Sequence, residues 1–179
     1  MLNSCKSYEM RTLTHFLSFR PNDSHPVLLQ FSLLNNAVVH FDGGKKNFVY
    51  IPGKRPDRVL LVAHADTVWD SYYYQTSDPE DIALLCQLKK QKHRPRIRDG
   101  IFSQRGWKEW GLGADDRAGC AMLWLMKNSG HSLLVTDGEE HGQIGANHLI
   151  DHYPQLAKEI NEHTYLIQMD RRGASDYKT

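Results

Sequence analysis

The most constraining feature of this 179-residue chain is one layout that recurs along it. Residues 59–63, Val-Leu-Leu-Val-Ala, form an unbroken apolar run, and His64-Ala65-Asp66 follows at once. A run this short and this apolar reads as a buried strand. Residues two apart on a strand share a face, so His64 and Asp66 emerge together at its end. "LLVTDGEE" is a second such run, ending in Asp137, Glu139 and Glu140, and "YLIQMD" a third, ending in Asp170. "GLGADD" places Asp115 and Asp116 just before a long apolar stretch. If the strands are parallel neighbours, these ends line one edge of a sheet, where open α/β sheets keep their sites. That edge would gather one imidazole and up to seven carboxylates. So many carboxylates cannot all stay ionised at close range without a counter-charge. A pair of divalent cations supplies one, and histidine with carboxylates suits zinc, or manganese or cobalt. Taken alone, His64-Ala65-Asp66 is equally well explained as a surface turn.

The intervening segments alternate with these runs. Leu13, Phe16 and Leu17 lie at helical spacing, and "AVVHFDGGKKNFVYIPG" reads as two strands joined by a tight turn at Asp42-Gly43-Gly44. Gly111 and Gly113 mark a turn, and Ala118 to Met126 is apolar on every face, the pattern of a helix buried on all sides. Asn128-Ser129-Gly130 ends that helix. "QIGANHLIDHYPQLAKEI" is helical with a break near Pro154. Strand alternating with helix predicts an α/β sheet with helices on its faces. Residues 70–106 are less regular: a short helix is expected at 81–90, followed by a basic stretch at 89–98 that reads as a solvated loop.

Composition narrows the function classes. The net charge of +1 gives no strong pull toward nucleic acid or an anionic membrane. The three cysteines are scattered, which argues against a disulfide framework or a cysteine zinc site and for a reducing compartment. The N-terminus lacks the basic-then-apolar order of a signal peptide, and "PVLLQFSLLNNAVV" is too short and too polar to span a bilayer. The expectation is a single cytoplasmic domain over 1–179 with no nucleic-acid or membrane partner.

"HADTV", "GLGADDRAG" and "DGEEHGQIGA" resemble, in order, the successive motifs of the co-catalytic dinuclear zinc exopeptidases of the M20/M28 type. The resemblance runs from about Ala37 to Asp170; residues 70–106 match no motif and are taken as a variable insertion. It implies a three-layer α/β sandwich with a mostly parallel, mixed central sheet. It implies that His64 binds one zinc and Asp66 holds its imidazole. Asp115 bridges two metals, through an Asp115–Asp116 peptide that is often cis in the family. Glu140 binds the second zinc, Asp170 completes the first, and Glu139 is the general base. The substrate is then a peptide or an acylated amino acid, and the metals are two Zn2+ per complete site, with Mn2+ or Co2+ as alternatives.

The departure from the family lies at the end. A final histidine ligand is expected downstream of Asp170, yet the nine remaining residues, "RRGASDYKT", contain none. The chain is therefore expected to be the N-terminal, C-terminally incomplete part of a catalytic domain, holding at most one metal firmly. Its last strand would leave an open sheet edge able to pair with another copy. Other residues have plainer readings. His141 is a loop residue, His148 and His152 are solvated on a helix face, and His163 has little claim to replace the missing ligand. Tyr72–Tyr74, Trp107 and Trp110 pack the insertion or line a pocket; Arg171 and Arg172 form surface ion pairs or meet a substrate carboxylate. Cys120 is an inert core thiol.

Three functions compete. A metal-dependent exopeptidase or amide hydrolase leads. A homologue that binds metal or a partner without turnover is the second, favoured by the absent histidine. A magnesium-dependent phosphohydrolase is the third, and His64 argues against it, since magnesium sites seldom use imidazole.

Overall fold

The computed structural model describes residues 7–70, 78–80, 82–83, 93–98, 101–104 and 111–170. Two helices open the chain, α1 (Tyr8–Ser18) and α2 (His25–Ser32), followed by strands β1 (Val38–His40), β2 (Phe48–Ile51) and β3 (Val59–His64). Strands β4 (Pro95–Arg98) and β5 (Ile101–Gln104) form a separate antiparallel pair. Then come α3 (Ala114–Leu125), β6 (Ser132–Thr136), α4 (Ile144–His152), α5 (Pro154–Asn161) and β7 (Tyr165–Gln168).

The main sheet has the order β1-β2-β6-β3-β7. β1, β2 and β6 pair antiparallel, whereas β3 runs parallel to both β6 and β7. Each strand near the centre alternates its side chains between two cores. Val49, Ile51, Leu61, Ala63, Leu133 and Val135 meet α1, α2 and α3 through Phe16, Phe31 and Cys120. Phe48, Tyr50, Leu60 and Leu134 meet α4 and α5 through Leu149, Leu156 and Ile160. This is a three-layer α/β sandwich with a mixed central sheet. Burial on both faces is why these strands read as continuous apolar runs rather than as alternation.

Several expectations need correction. The connection between β1 and β2 spans residues 41–47 and is longer than the tight turn expected at Asp42-Gly43-Gly44. Helix α3 is not buried on all sides: Met122 is 49% exposed, because one face meets the sheet, another meets α1, and a third stays open. The basic stretch at 89–98 is not all loop, since Pro95–Arg98 is a strand whose arginines face out. Asp99-Gly100 between two alternating stretches is the sequence signature of such a pair. The helix expected at 81–90 falls mostly outside the described residues, as do Tyr72–Tyr74, Trp107, Trp110, Arg171 and Arg172. Pro154 divides α4 from α5 as expected, at Tyr153. Among the described residues β7 forms the sheet's edge, with Tyr165, Leu166 and Ile167 exposed.

Candidate metal centre

The register of the three parallel strands builds the site. His64 lies opposite Thr136 on β6, and Val62 lies opposite Gln168 on β7. The β6 end therefore delivers the Glu139–His141 turn to one side of His64, and the β7 end delivers Asp170 to the other. Gly113, with φ of 66°, starts α3 and brings Asp115 in from above the strand ends. The imidazole is the pivot: its Nε2 lies 3.2 Å from Asp115 Oδ1, 3.8 Å from Asp170 Oδ2 and 4.0 Å from Glu139 Oε2. Two groups of donor atoms, His64 with Asp115 and Asp170, and His64 with Glu139 and Glu140, each lie within 4.8 Å of one another.

The seven carboxylates divide by what already holds them. Asp116 is turned inward, its oxygens accepting from His64 N at 3.3 Å and Gly119 N at 2.9 Å. Gly119 must lack a Cβ, because a methyl there would run into the Asp116 carboxylate. The peptide joining Asp115 to Asp116 is cis. Asp66 is fully buried, and its two oxygens accept from Glu139 N and Glu140 N at 3.1 and 3.2 Å. Its carboxylate is 3.5 Å from His64 Nδ1, while its own backbone carbonyl is nearer, at 3.1 Å. Asp66 thus clamps the glutamate turn directly and holds the imidazole chiefly through its main chain. Asp137 points away from His64 and accepts from Ser24 Oγ, Asn47 Nδ2, Gly138 N and Lys45 Nζ. Four carboxylates remain directed at the imidazole: Asp115, Glu139, Glu140 and Asp170.

The electrostatics favour a cation. Burial alone would lower the His64 pKa, yet Asp66, Asp116 and Glu139 outweigh it and push it up to about 9. Burial, with Asp170 adding repulsion, pushes Asp116 up to about 7. Burial and the Asp115 carboxylate raise both Glu140 and Asp170 above the usual carboxylate range. Burial would raise Asp66 too, but His64 and the N–H donors hold it below its ordinary value. A pocket that draws positive charge onto an imidazole, and raises Glu140 and Asp170 beside it, fits a divalent cation bound by mixed nitrogen and oxygen donors.

Sequence reasoning did not find the buried charge network behind this turn. Lys45 Nζ lies 3.1 Å from Asp70 Oδ2 and 3.3 Å from Asp137 Oδ1. Burial pushes Asp70 up to about 6 despite Lys45. Burial would lower Lys45, but Asp70 and Asp137 keep it above its ordinary value. Arg117 is wholly buried, donating from Nη2 to the carbonyls of Arg20 and Asp23. No sequence signal marks Lys45, whose partners lie 25 and 92 residues away. Arg117 was readable as a charge entering an apolar helix. His141 is closer to the site than a loop residue need be, with Nδ1 3.9 Å from Asp66 Oδ2. His163 lies at the opposite end of the sheet, bonded to Ser132 Oγ and Ile160 O at 2.7 and 2.8 Å.

No protein-family model matches the chain, and no curated protein matches it. Among solved structures it is similar to aminopeptidase PepT from Bacillus cereus, with a TM-score of 0.56 at 19% identity over 92% of this chain. It also matches an aminoacylhistidine dipeptidase from Vibrio alginolyticus over 78% of its length, with a TM-score of 0.46 at 18% identity. It spans 43% of the first of those chains and 29% of the second. The fold is thus one this chain shares with a peptidase more than twice as long.

Proposed function

We propose that this chain is part of a metal-dependent peptide-bond hydrolase of the M20/M28 exopeptidase type. The observation that carries the reading is the convergence of His64 with Asp115, Asp170, Glu139 and Glu140 at the ends of parallel strands. The fold shared with an aminopeptidase and the order of the three sequence motifs support it. His64, Asp115 and Asp170 would hold one zinc, and Asp115 with Glu140 a second; Mn2+ or Co2+ would fit the same donors. When bound, such a pair polarises the substrate carbonyl and acidifies a water. Glu139 is the general base: it takes the proton of the attacking water and returns it to the leaving amine. Asp66 fixes the turn that presents Glu139 and Glu140. Asp116 fixes the His64 backbone from below. The substrate is a peptide or an acylated amino acid.

In a form that also supplies the final histidine ligand, Glu139→Gln and Glu140→Gln separate these roles in a paired assay of zinc content and peptide turnover. Glu139→Gln should keep metal and lose about 10²–10⁴-fold in turnover, the usual worth of a general base. Glu140→Gln should lose metal first. Full turnover by Glu139→Gln would remove the base assignment. Tight zinc binding with no turnover of any peptide by such a complete form would instead favour the non-catalytic metal-binding homologue.

A further inference from the structure

A second cluster of histidines lies away from the metal centre, on the other side of β1 and β2. His148, on α4, was expected to be solvated; instead it is half-buried between His40 of β1 and His152 of its own helix. The ring centroids are 4.6 Å apart for His40–His148 and 4.2 Å apart for His148–His152, with interplanar angles of 32° and 28°. Tyr153 closes the cluster at the α4–α5 corner, its hydroxyl 2.7 Å from His40 Nδ1. His152 Nδ1 meets the His148 carbonyl at 3.2 Å, so that ring donates back to its own helix. His40 Nε2 and His148 Nδ1 are buried and have no hydrogen-bond partner. The nitrogens do not gather round one point; among the described residues, the donor groups that converge are those around His64.

We propose that His148, stacked between His40 and His152, is an acid-sensitive latch that pins the C-terminal half of α4 to strand β1 when its ring is neutral and releases it when that ring is protonated. Neutral imidazoles stack favourably on one another and on Phe48, whose ring lies 5.6 Å from His40. An imidazolium at His148 would carry an N–H on its buried Nδ1 with no acceptor, packed against the rings of His40 and His152. The charged groups acting on it from the β1–β2 connection are opposed: Asp42 favours the proton and Lys46 disfavours it. Burial and the neighbouring histidines set the balance, holding the His148 pKa below the ordinary histidine value. The sign follows. A histidine lowered in the folded state takes up a proton when the contact opens, so opening becomes easier as pH falls through about 6.5.

The test is hydrogen exchange of the α4 amides at residues 148–152 in the full chain, corrected for intrinsic pH effects, with NMR titration of His148 beside it. Opening coupled to His148 protonation should increase as pH falls below the ordinary histidine value, by at most about tenfold per pH unit, and level off once the folded form is protonated too. His148→Phe keeps a stacking ring without a proton site and should remove that dependence. Equal acid sensitivity in the variant would overturn the proposal. So would wild-type His148 titrating at or above the ordinary value, a measurement that decides the matter even if the variant fails to fold.

Discussion

Replacing Lys45 by Met tests the network that backs the glutamate turn. Lys45 is 13% exposed at its side chain and its partners Asp70 and Asp137 are 2% and 1% exposed. Asp137 would remain satisfied, because Ser24, Asn47 and Gly138 still donate to it. Asp70 would lose its ion-pair partner: no hydrogen bond reaches its Oδ2, and Lys45 is the cation paired with it, Arg117 acting on it more weakly. Burial already lifts Asp70 to about 6. Against an unfolded value near 4, ionising it in the folded protein costs about 3 kcal/mol even with Lys45 in place. Leaving one member of a buried pair alone typically costs ~3–5 kcal/mol, and here protonation of Asp70 caps the loss. Asp70 is a carboxylate whose folded pKa is raised, so the folded state binds its proton more tightly. Its favourable contribution is complete below about pH 4 and is lost as pH rises through about 6. Without Lys45 that loss continues to higher pH. Urea unfolding at pH 5 and pH 8 should therefore show Lys45→Met costing about 3 kcal/mol at pH 8 and clearly less at pH 5. Adding Asp70→Asn should recover most of the pH 8 loss. An equal cost at both pH values, or no recovery in the double variant, would refute the argument.

Other outcomes follow from single contacts. Gly119→Ala drives a methyl into the Asp116 carboxylate and should cost ~1–3 kcal/mol of stability by thermal unfolding. Asp66→Asn leaves one acceptor for the two amides of Glu139 and Glu140, and zinc calorimetry should read affinity weakened by about 10–100-fold. Self-association through the β7 edge is proposed from its exposed Tyr165, Leu166 and Ile167. Light scattering should then show Leu166→Lys with a lower mass than the unaltered chain; an identical mass would remove the proposal.

The sequence by itself determined the strands of the sheet centre and which polar residues stand at their ends. Residues 59–63 and 133–135 are apolar throughout because both faces are covered, and a run that is apolar in every register can be recognised without knowing its neighbours. His64, Asp115, Glu139, Glu140 and Asp170 stand where such runs stop or where a buried helix begins, so their meeting needed only that the strands lie parallel and adjacent. Tertiary structure decided which acids face the imidazole. Asp116, Asp137 and Asp66 look like the others in sequence, yet each is drawn away by donors from elsewhere: the Gly119 amide, the Ser24 and Asn47 side chains, the amides of the glutamate turn. It also decided the fates of Lys45 and His148. A histidine on a helix read as solvated, and a lysine after two glycines drew no reading, because local pattern reports only a residue's own face. Whether another element covers that face depends on partners 25 to 108 residues distant, Asp70 for Lys45 and His40 for His148. Burial of a polar side chain follows from those long-range contacts, and periodicity carries no record of them.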